Sequence, residues 1–262
     1  MTGAGMDQEL LTIDALTVRE GSRDLVAEAS FSLARGECVG LIGPNGAGKT
    51  TLMRAALGLQ RAQGLSSLTL LPPEERARQV AFLPQNRDVA WPVSVRDLVS
   101  LGLLPARGIG LHVPQTVAER VEAILAEMEL TALADRAATS LSGGELARVM
   151  MARLLVQDTP LVIADEPAAS LDPAQQIALM DRLRSVADAG RGVLVSLHDL
   201  GLAARYCTRL LAMKAGRIVA DGAPMDVLTP EVLADVFQIR AQMIDTSDGL
   251  ILHPVALTGR GG

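Results

Sequence analysis

The stretch CVGLIGPNGAGKTT, residues 38–51, decides the fold. Its opening CVGLIG is an apolar run of a length suited to a buried strand. Gly43 through Thr50 then match the full phosphate-loop pattern of two glycines separated by four residues and followed by Lys and Ser or Thr. The continuation, KTTLMRAALGL, places apolar residues at helical spacing. Strand, glycine loop and helix in that order build an anion cradle. The glycines among Gly43, Pro44, Asn45, Gly46, Ala47 and Gly48 let backbone N–H groups curl around a phosphate, and the helix N-terminus adds a favourable dipole. Lys49 would reach the β- and γ-phosphates, the Thr50 hydroxyl would ligate Mg²⁺, and Thr51 is a further polar contact. The alternative, a merely flexible glycine loop, does not account for the strand before it and the helix after it.

Outward from this stretch, the preceding residues alternate and break like two short antiparallel strands, LLTIDALTVRE and DLVAEASFSL, around a turn at Gly21-Ser22. Downstream, RQVAFLPQ reads as a strand ending at Pro84-Gln85. From Asn86 to about Asp158 the pattern is helical: SVRDLVSLGLL, TVAERVEAILAEMEL and GGELARVMMARLLVQ. Strand patterns return in PLVIADEP and GVLVSLHD, separated by a helix, PAQQIALMDRLRSVADAG, with Pro173 in its first turn and Gly190 at its end. Strand–helix–strand order implies parallel pairing and an α/β core into which the helical stretch is inserted. The remainder reads as a hairpin (RLLAMKAGRIVADG), a short helix (PEVLADVF) and two short strands (AQMIDT and LILHPV). The expected organisation is one domain over residues 8–257, with a core of 8–85 and 158–257, an antiparallel β subdomain at its start and a helical subdomain of about 86–157.

Composition narrows the function. The chain has 262 residues, 49% hydrophobic and 21% charged, with a net charge of −6. It lacks the basic field that phosphate-backbone binding requires, so no nucleic-acid partner is expected. A mean hydropathy of +0.28 is high for a soluble protein, yet no apolar run approaches the ~20 residues of a membrane helix. The start, MTGAGMDQELL, has neither the basic nor the apolar region of a signal peptide. Cys38 and Cys207 have no metal spacing and read as reduced core thiols.

Other chemistry-bearing residues stand at predicted strand ends, where ligands bind in open parallel sheets. Asp165 and Glu166 close LVIADEP, and neighbours on a strand face opposite ways, so the two carboxylates can divide labour. Asp165 would hold Mg²⁺, and Glu166 would polarise an attacking water as general base. His198 closes VLVSLH, as a γ-phosphate or water contact or else a structural imidazole. Gln85 closes its strand, where its amide would ligate Mg²⁺ or sense the water. Ser142-Gly143-Gly144 precedes another helix and is a second anion site in kind, although alone it would read as an ordinary N-cap.

Taken as a set, the phosphate loop, Gln85, LSGGE, the apolar strand ending in Asp165-Glu166, Asp172 in SLD, and His198 resemble the ATP-binding cassette (ABC) ATPases, from about Leu10 to Val255. The resemblance implies ATP and Mg²⁺ as cofactors and a homodimer. Ser142, Gly143, Gly144 and Glu145 of one copy would cap the γ-phosphate held by the other, and Asp172 would link the two sites. FLPQNRDVAWPVSVRDLVSLGLLP and the stretch from LHDLGLAARY onward are similar to the importer branch for iron–siderophore, haem and cobalamin uptake. That branch implies two separate transmembrane permease subunits, an extracytoplasmic binding protein, and a peripheral location on the cytoplasmic side of the inner membrane. A zinc or manganese importer ATPase is the nearest alternative, followed by a soluble, non-transport ABC protein. An ordinary P-loop kinase or GTPase leaves LSGGE and SLHD unexplained. Three departures stand out: Ala168 replaces a usual Thr, LGLLP lacks the usual arginine, and VREG has no aromatic where the family stacks one on adenine. The base contact is therefore unassigned, with Arg19 able to stack through its guanidinium plane.

Overall fold

The computed structural model describes residues 9–104, 115–169, 171–246 and 249–258. The chain opens with two long strands, β1 (Glu9–Glu20) and β2 (Arg23–Ala34), paired antiparallel. The next strand, β3 (Cys38–Ile42), is buried at every position and runs into the phosphate loop and the helix Lys49–Ala56. A short β4 (Gln63–Ser66) joins the other edge of β1 and completes a three-stranded sheet in the order β2-β1-β4.

A second, larger sheet carries the site. It contains β3, β5 (Val80–Leu83), β6 (Leu161–Ala164), β7 (Gly192–Leu197), β8 (Arg209–Lys214) and β9 (Arg217–Gly222), in the order β5-β6-β7-β3-β8-β9. All pairings are parallel except β8 with β9, which close a hairpin. β10 (Ile239–Thr246) and β11 (Gly249–Leu257) form a separate hairpin after the short helix Pro230–Phe237.

The two-residue period of the strands divides the core in two. Cys38, Ile42, Val162, Ala164, Val193, Val195, Leu210 and Ala212 face one way, into a cluster shared with Val95, Leu98, Leu125, Met151, Leu154 and Leu183 of the helices. Val39, Leu41, Leu161, Ile163, Leu194, Leu211 and Met213 face the other way, against Leu11, Val26, Phe31 and Leu33 of the antiparallel sheet and Leu52 and Met53 of the phosphate-loop helix. The large sheet is thus a filled layer between helices and a second sheet. Its parallel strands β3, β5, β6 and β7 all end at the same edge, which fixes where the polar residues after them must gather.

Cys38 and Cys207 meet on the helical side. A Cβ on Gly40 would lie 2.7 Å from Cys207 Sγ, so the glycine leaves the room that this thiol fills. Hydrogen bonding to Cys38, with burial, pushes the Cys207 thiol well above its ordinary pKa. Both cysteines are free.

Several elements differ from the sequence reading. β4, of sequence QGLS, has no apolar alternation; it is held by close backbone approach, with Gly64 at φ +89° and room for no Cβ, which would lie 2.4 Å from the Ala15 carbonyl. The helix Pro73–Gln79 buries none of its residues, so it has no amphipathic signal, and it takes Arg78 and Gln79 from the expected strand. Residues 84–94 are irregular, and regular helix begins at Val95–Ser100. The helix Leu200–Tyr206 follows β7 unannounced. Pro105 of LGLLP and Ser170 of SLD lie outside the described residues. Among the described residues no helix is long and apolar enough to cross a membrane.

Candidate functional site

The phosphate loop owes its path to glycine. Gly48 sits at φ +104°, and a Cβ there would lie 2.6 Å from the Leu25 carbonyl oxygen, so no other residue fits without moving backbone. Gly48 is also the N-cap of the helix Lys49–Ala56 and supplies no side-chain cap, so the first-turn N–H groups stay open to a ligand. Lys49 is buried and folds back on its own loop, Nζ donating to the carbonyls of Gly43 at 2.7 Å and Pro44 at 3.3 Å. Desolvation lowers its pKa, partly offset by the nearby carboxylates of Glu166 and Asp165. The loop opens on a cleft of about 360 Å³ that Thr50, Thr51, Gln85 and Glu166 also line.

Asp165 and Glu166 lie just beyond the end of β6, and Ser196 of β7 ties them together. The Ser196 hydroxyl donates to Asp165 Oδ1 at 2.6 Å and accepts the Glu166 backbone N–H at 2.8 Å. Asp165 is fully buried, and its Oδ2 has no hydrogen-bond partner. Such an orphaned carboxylate oxygen beside Lys49 suits a cation. Among the described residues no group of three or more His, Cys, Asp or Glu side chains gathers to hold a metal. A divalent ion here would therefore take its remaining ligands from Thr50, Gln85, water and the phosphates themselves, as Mg²⁺ commonly does.

Glu166 is held on every side. Its backbone has φ +49°, a conformation disfavoured for a residue with a Cβ. Oε1 lies 2.5 Å from His198 Nε2, and Oε2 accepts from Gln85 Nε2 at 2.7 Å. Three of the four residues expected at strand ends, Gln85, Glu166 and His198, are therefore joined at one carboxylate. The Glu166 carbonyl accepts from Arg87 Nη2 at 2.7 Å and from the Ala169 N–H at 3.2 Å.

The second glycine loop starts the helix Gly143–Leu155 with a reciprocal cap. The Glu145 N–H donates to Ser142 Oγ at 3.3 Å, while Glu145 Oε2 accepts from the Ser142 N–H at 2.8 Å and from its hydroxyl at 2.9 Å. The bonds from the Ser142 backbone and hydroxyl hold the Glu145 carboxyl below the usual carboxylate range. Asp172 caps the helix Pro173–Asp188, accepting from the Gln175 N–H at 2.9 Å. A Cβ on Gly144 would lie 2.5 Å from the Gln175 amide, so the two caps pack against each other. Neither Ser142–Glu145 nor Asp172 lines the phosphate-loop cleft of its own chain.

Four residues escaped the sequence reading. Ser196 had a signal, as the polar residue within an otherwise apolar strand. Arg87 had none, since an arginine in a polar connection reads as solvated. Arg23 and Leu25 line the cleft beside the loop, whereas Arg19 is exposed and paired with Asp24 at 2.7 Å. Of the two arginines, Arg23 lines the cleft and Arg19 does not.

A phosphate loop at the carboxyl edge of a parallel sheet, faced by a buried Asp and a clamped Glu, defines a P-loop nucleoside triphosphatase. The capped LSGGE loop narrows the class further. Residues 26–169 match the ABC transporter family. The chain is 39% identical to the hemin import ATP-binding protein HmuV of Nocardia farcinica, over 89% of this chain and 80% of that protein. It is 40% identical to the HmuV of Pseudomonas entomophila, over 88% and 93% respectively. In fold it is similar to a chain of an inward-facing metal-chelate type ABC transporter (TM-score 0.83, 24% identity), covering 95% of this chain and 98% of that one. The chain belongs to the ABC transporter family, and within it to the ATP-hydrolysing subunits.

Proposed function

We propose that the chain energises import of haem or a closely related metal chelate, as a homodimer docked on the cytoplasmic face of two membrane-spanning permease subunits that receive cargo from an extracytoplasmic binding protein. The observation that carries the substrate class is the similarity to hemin import ATP-binding proteins over nearly nine-tenths of the chain. Glu166 is the general base, polarised and aimed through Gln85 and His198. Lys49 leaves the Gly43 and Pro44 carbonyls for the β- and γ-phosphates, exchanging neutral acceptors for charged ones in a site that already lowers its hydration. Asp165, Thr50 and Gln85 would hold Mg²⁺, whose chemistry there would be charge neutralisation at the phosphates. Ser142, Gly143 and Gly144 complete the partner copy's site, in keeping with their absence from the cleft of their own chain. Arg23 and Leu25 take the place of the aromatic platform for adenine, by stacking of the guanidinium and apolar contact.

Complementation tests the substrate class. In a host lacking its own chelate-import ATPases but supplied with this chain's cognate permease and binding protein, growth on haem as sole iron source is expected to return. Restoration of cobalamin or siderophore use without haem use would replace the proposed cargo. For Arg23, Arg23→Ala is expected to weaken ATP binding and leave inorganic tripolyphosphate binding unchanged. Equal losses would place Arg23 at the phosphates instead.

A further inference from the structure

We infer that Arg87 is a positioning residue for hydrolysis, acting through the main chain of Glu166; the inference rests on Glu166 being the general base. Two observations carry it. Glu166 occupies the left-handed region at φ +49°, a conformation that persists only where its surroundings hold it. The Arg87 guanidinium, half-buried and with its Nε without a hydrogen-bond partner, directs Nη2 to the Glu166 carbonyl at 2.7 Å. Burial pushes the pKa of Arg87 down, but an arginine stays charged, so the bond is charge-assisted. No other side chain among the described residues bonds to that carbonyl; the Ala169 N–H is a longer, local turn contact at 3.2 Å. A half-buried arginine with one orphaned N–H serves packing poorly, and its one strong contact is to the residue that aims the water.

Arg87 also stands two residues after Gln85, in the irregular stretch between β5 and the helix Val95–Ser100. One segment therefore grips Glu166 twice: by the carboxylate through Gln85 and by the carbonyl through Arg87. Moving that segment releases both grips together, so the geometry of the base depends on where residues 85–87 lie.

The test measures steady-state hydrolysis by the purified full-length chain carrying Arg87→Met, which keeps the stem and deletes the donors. Since misplacement by about 1 Å costs as much as 10²-fold, kcat is expected to fall roughly 10- to 100-fold. KM for ATP is expected to stay within about threefold, as for loss of an interaction that serves the transition state alone. Arg87→Lys, retaining charge and a donor, is expected to recover part of the loss. In a Glu166→Gln background, Arg87→Met is expected to add no further loss. Near-normal kcat in Arg87→Met, or an equal fold-loss in the Glu166→Gln background, overturns the inference. If Arg87→Met does not fold, Arg87→Leu decides: wild-type turnover without any donor would mean that Arg87 supplies packing, and a lowered kcat at unchanged KM supports positioning. Normal turnover in Glu166→Gln alone would instead overturn the general-base reading.

Discussion

Ser196 illustrates how much one hydroxyl can organise. It sits at zero exposure in β7 and uses its single proton on Asp165 and its lone pair on the Glu166 N–H. Ser196→Ala would leave Asp165 buried with neither oxygen bonded and free the Glu166 backbone. Stranding buried polar groups costs about 1–3 kcal/mol, so a drop of that size in urea-denaturation stability is expected, together with reduced turnover. Unchanged stability would mean that water or a shifted backbone replaces the hydroxyl. Glu166→Gln has the opposite signature: amide for carboxylate is nearly isosteric, so folding and ATP binding persist. Turnover is expected to fall ~10²–10⁴-fold, the worth of a positioned general base; near-normal hydrolysis would reject that role.

At the scale of elements, glycine geometry and capping set the working parts. Gly48→Ala places a Cβ on the Leu25 carbonyl and forces an alanine to φ +104°. A loss exceeding ~1 kcal/mol is expected, read as a lower Tm with nucleotide binding abolished. Glu145 gives a pH prediction. Its folded pKa lies below the ordinary carboxylate value, so its capping contribution is present above the unfolded value and lost as pH falls through the folded one. The acid side of the thermal-stability profile is expected to flatten in Glu145→Gln, and an unaltered profile would show that the charge of the Glu145 carboxylate contributes nothing. Elements with a strong periodic signal were legible in the sequence: β3, β6 and β7 as apolar runs, and the helices Gly143–Leu155 and Pro173–Asp188 from their caps and patterning. β4 and the helix Pro73–Gln79 were not, because one is held by backbone approach and the other buries nothing. The site followed the same rule. Residues placed by motif or strand end (Lys49, Gln85, Asp165, Glu166, His198) stand together, whereas Arg87 and Arg23 depend on tertiary placement of exposed-looking arginines.

At the scale of the whole molecule, the proposed action in trans would leave the sheet edge with half of an enzyme. The residues that cradle phosphate and aim water share one cleft, while Ser142 and its glycines lie outside it. Mixed dimers of wild-type and Ser142→Arg chains, each marked by its own Lys49→Ala variant in turn, are expected to lose the site whose phosphate loop lies opposite the mutated signature. Loss confined to the mutant's own loop would reject action in trans. The capping box gives this assembly a thermodynamic character. In the free chain the Ser142 hydroxyl already spends its proton on a carboxylate, so meeting a γ-phosphate exchanges one oxyanion for another. Under the proposed action in trans, that swap would trade one charge-assisted bond for another, leaving the net gain to the glycine N–H groups and the helix dipole. The serine would then work less as an adhesive than as a two-position latch, with the bond to Glu145 inside its own chain as the resting position.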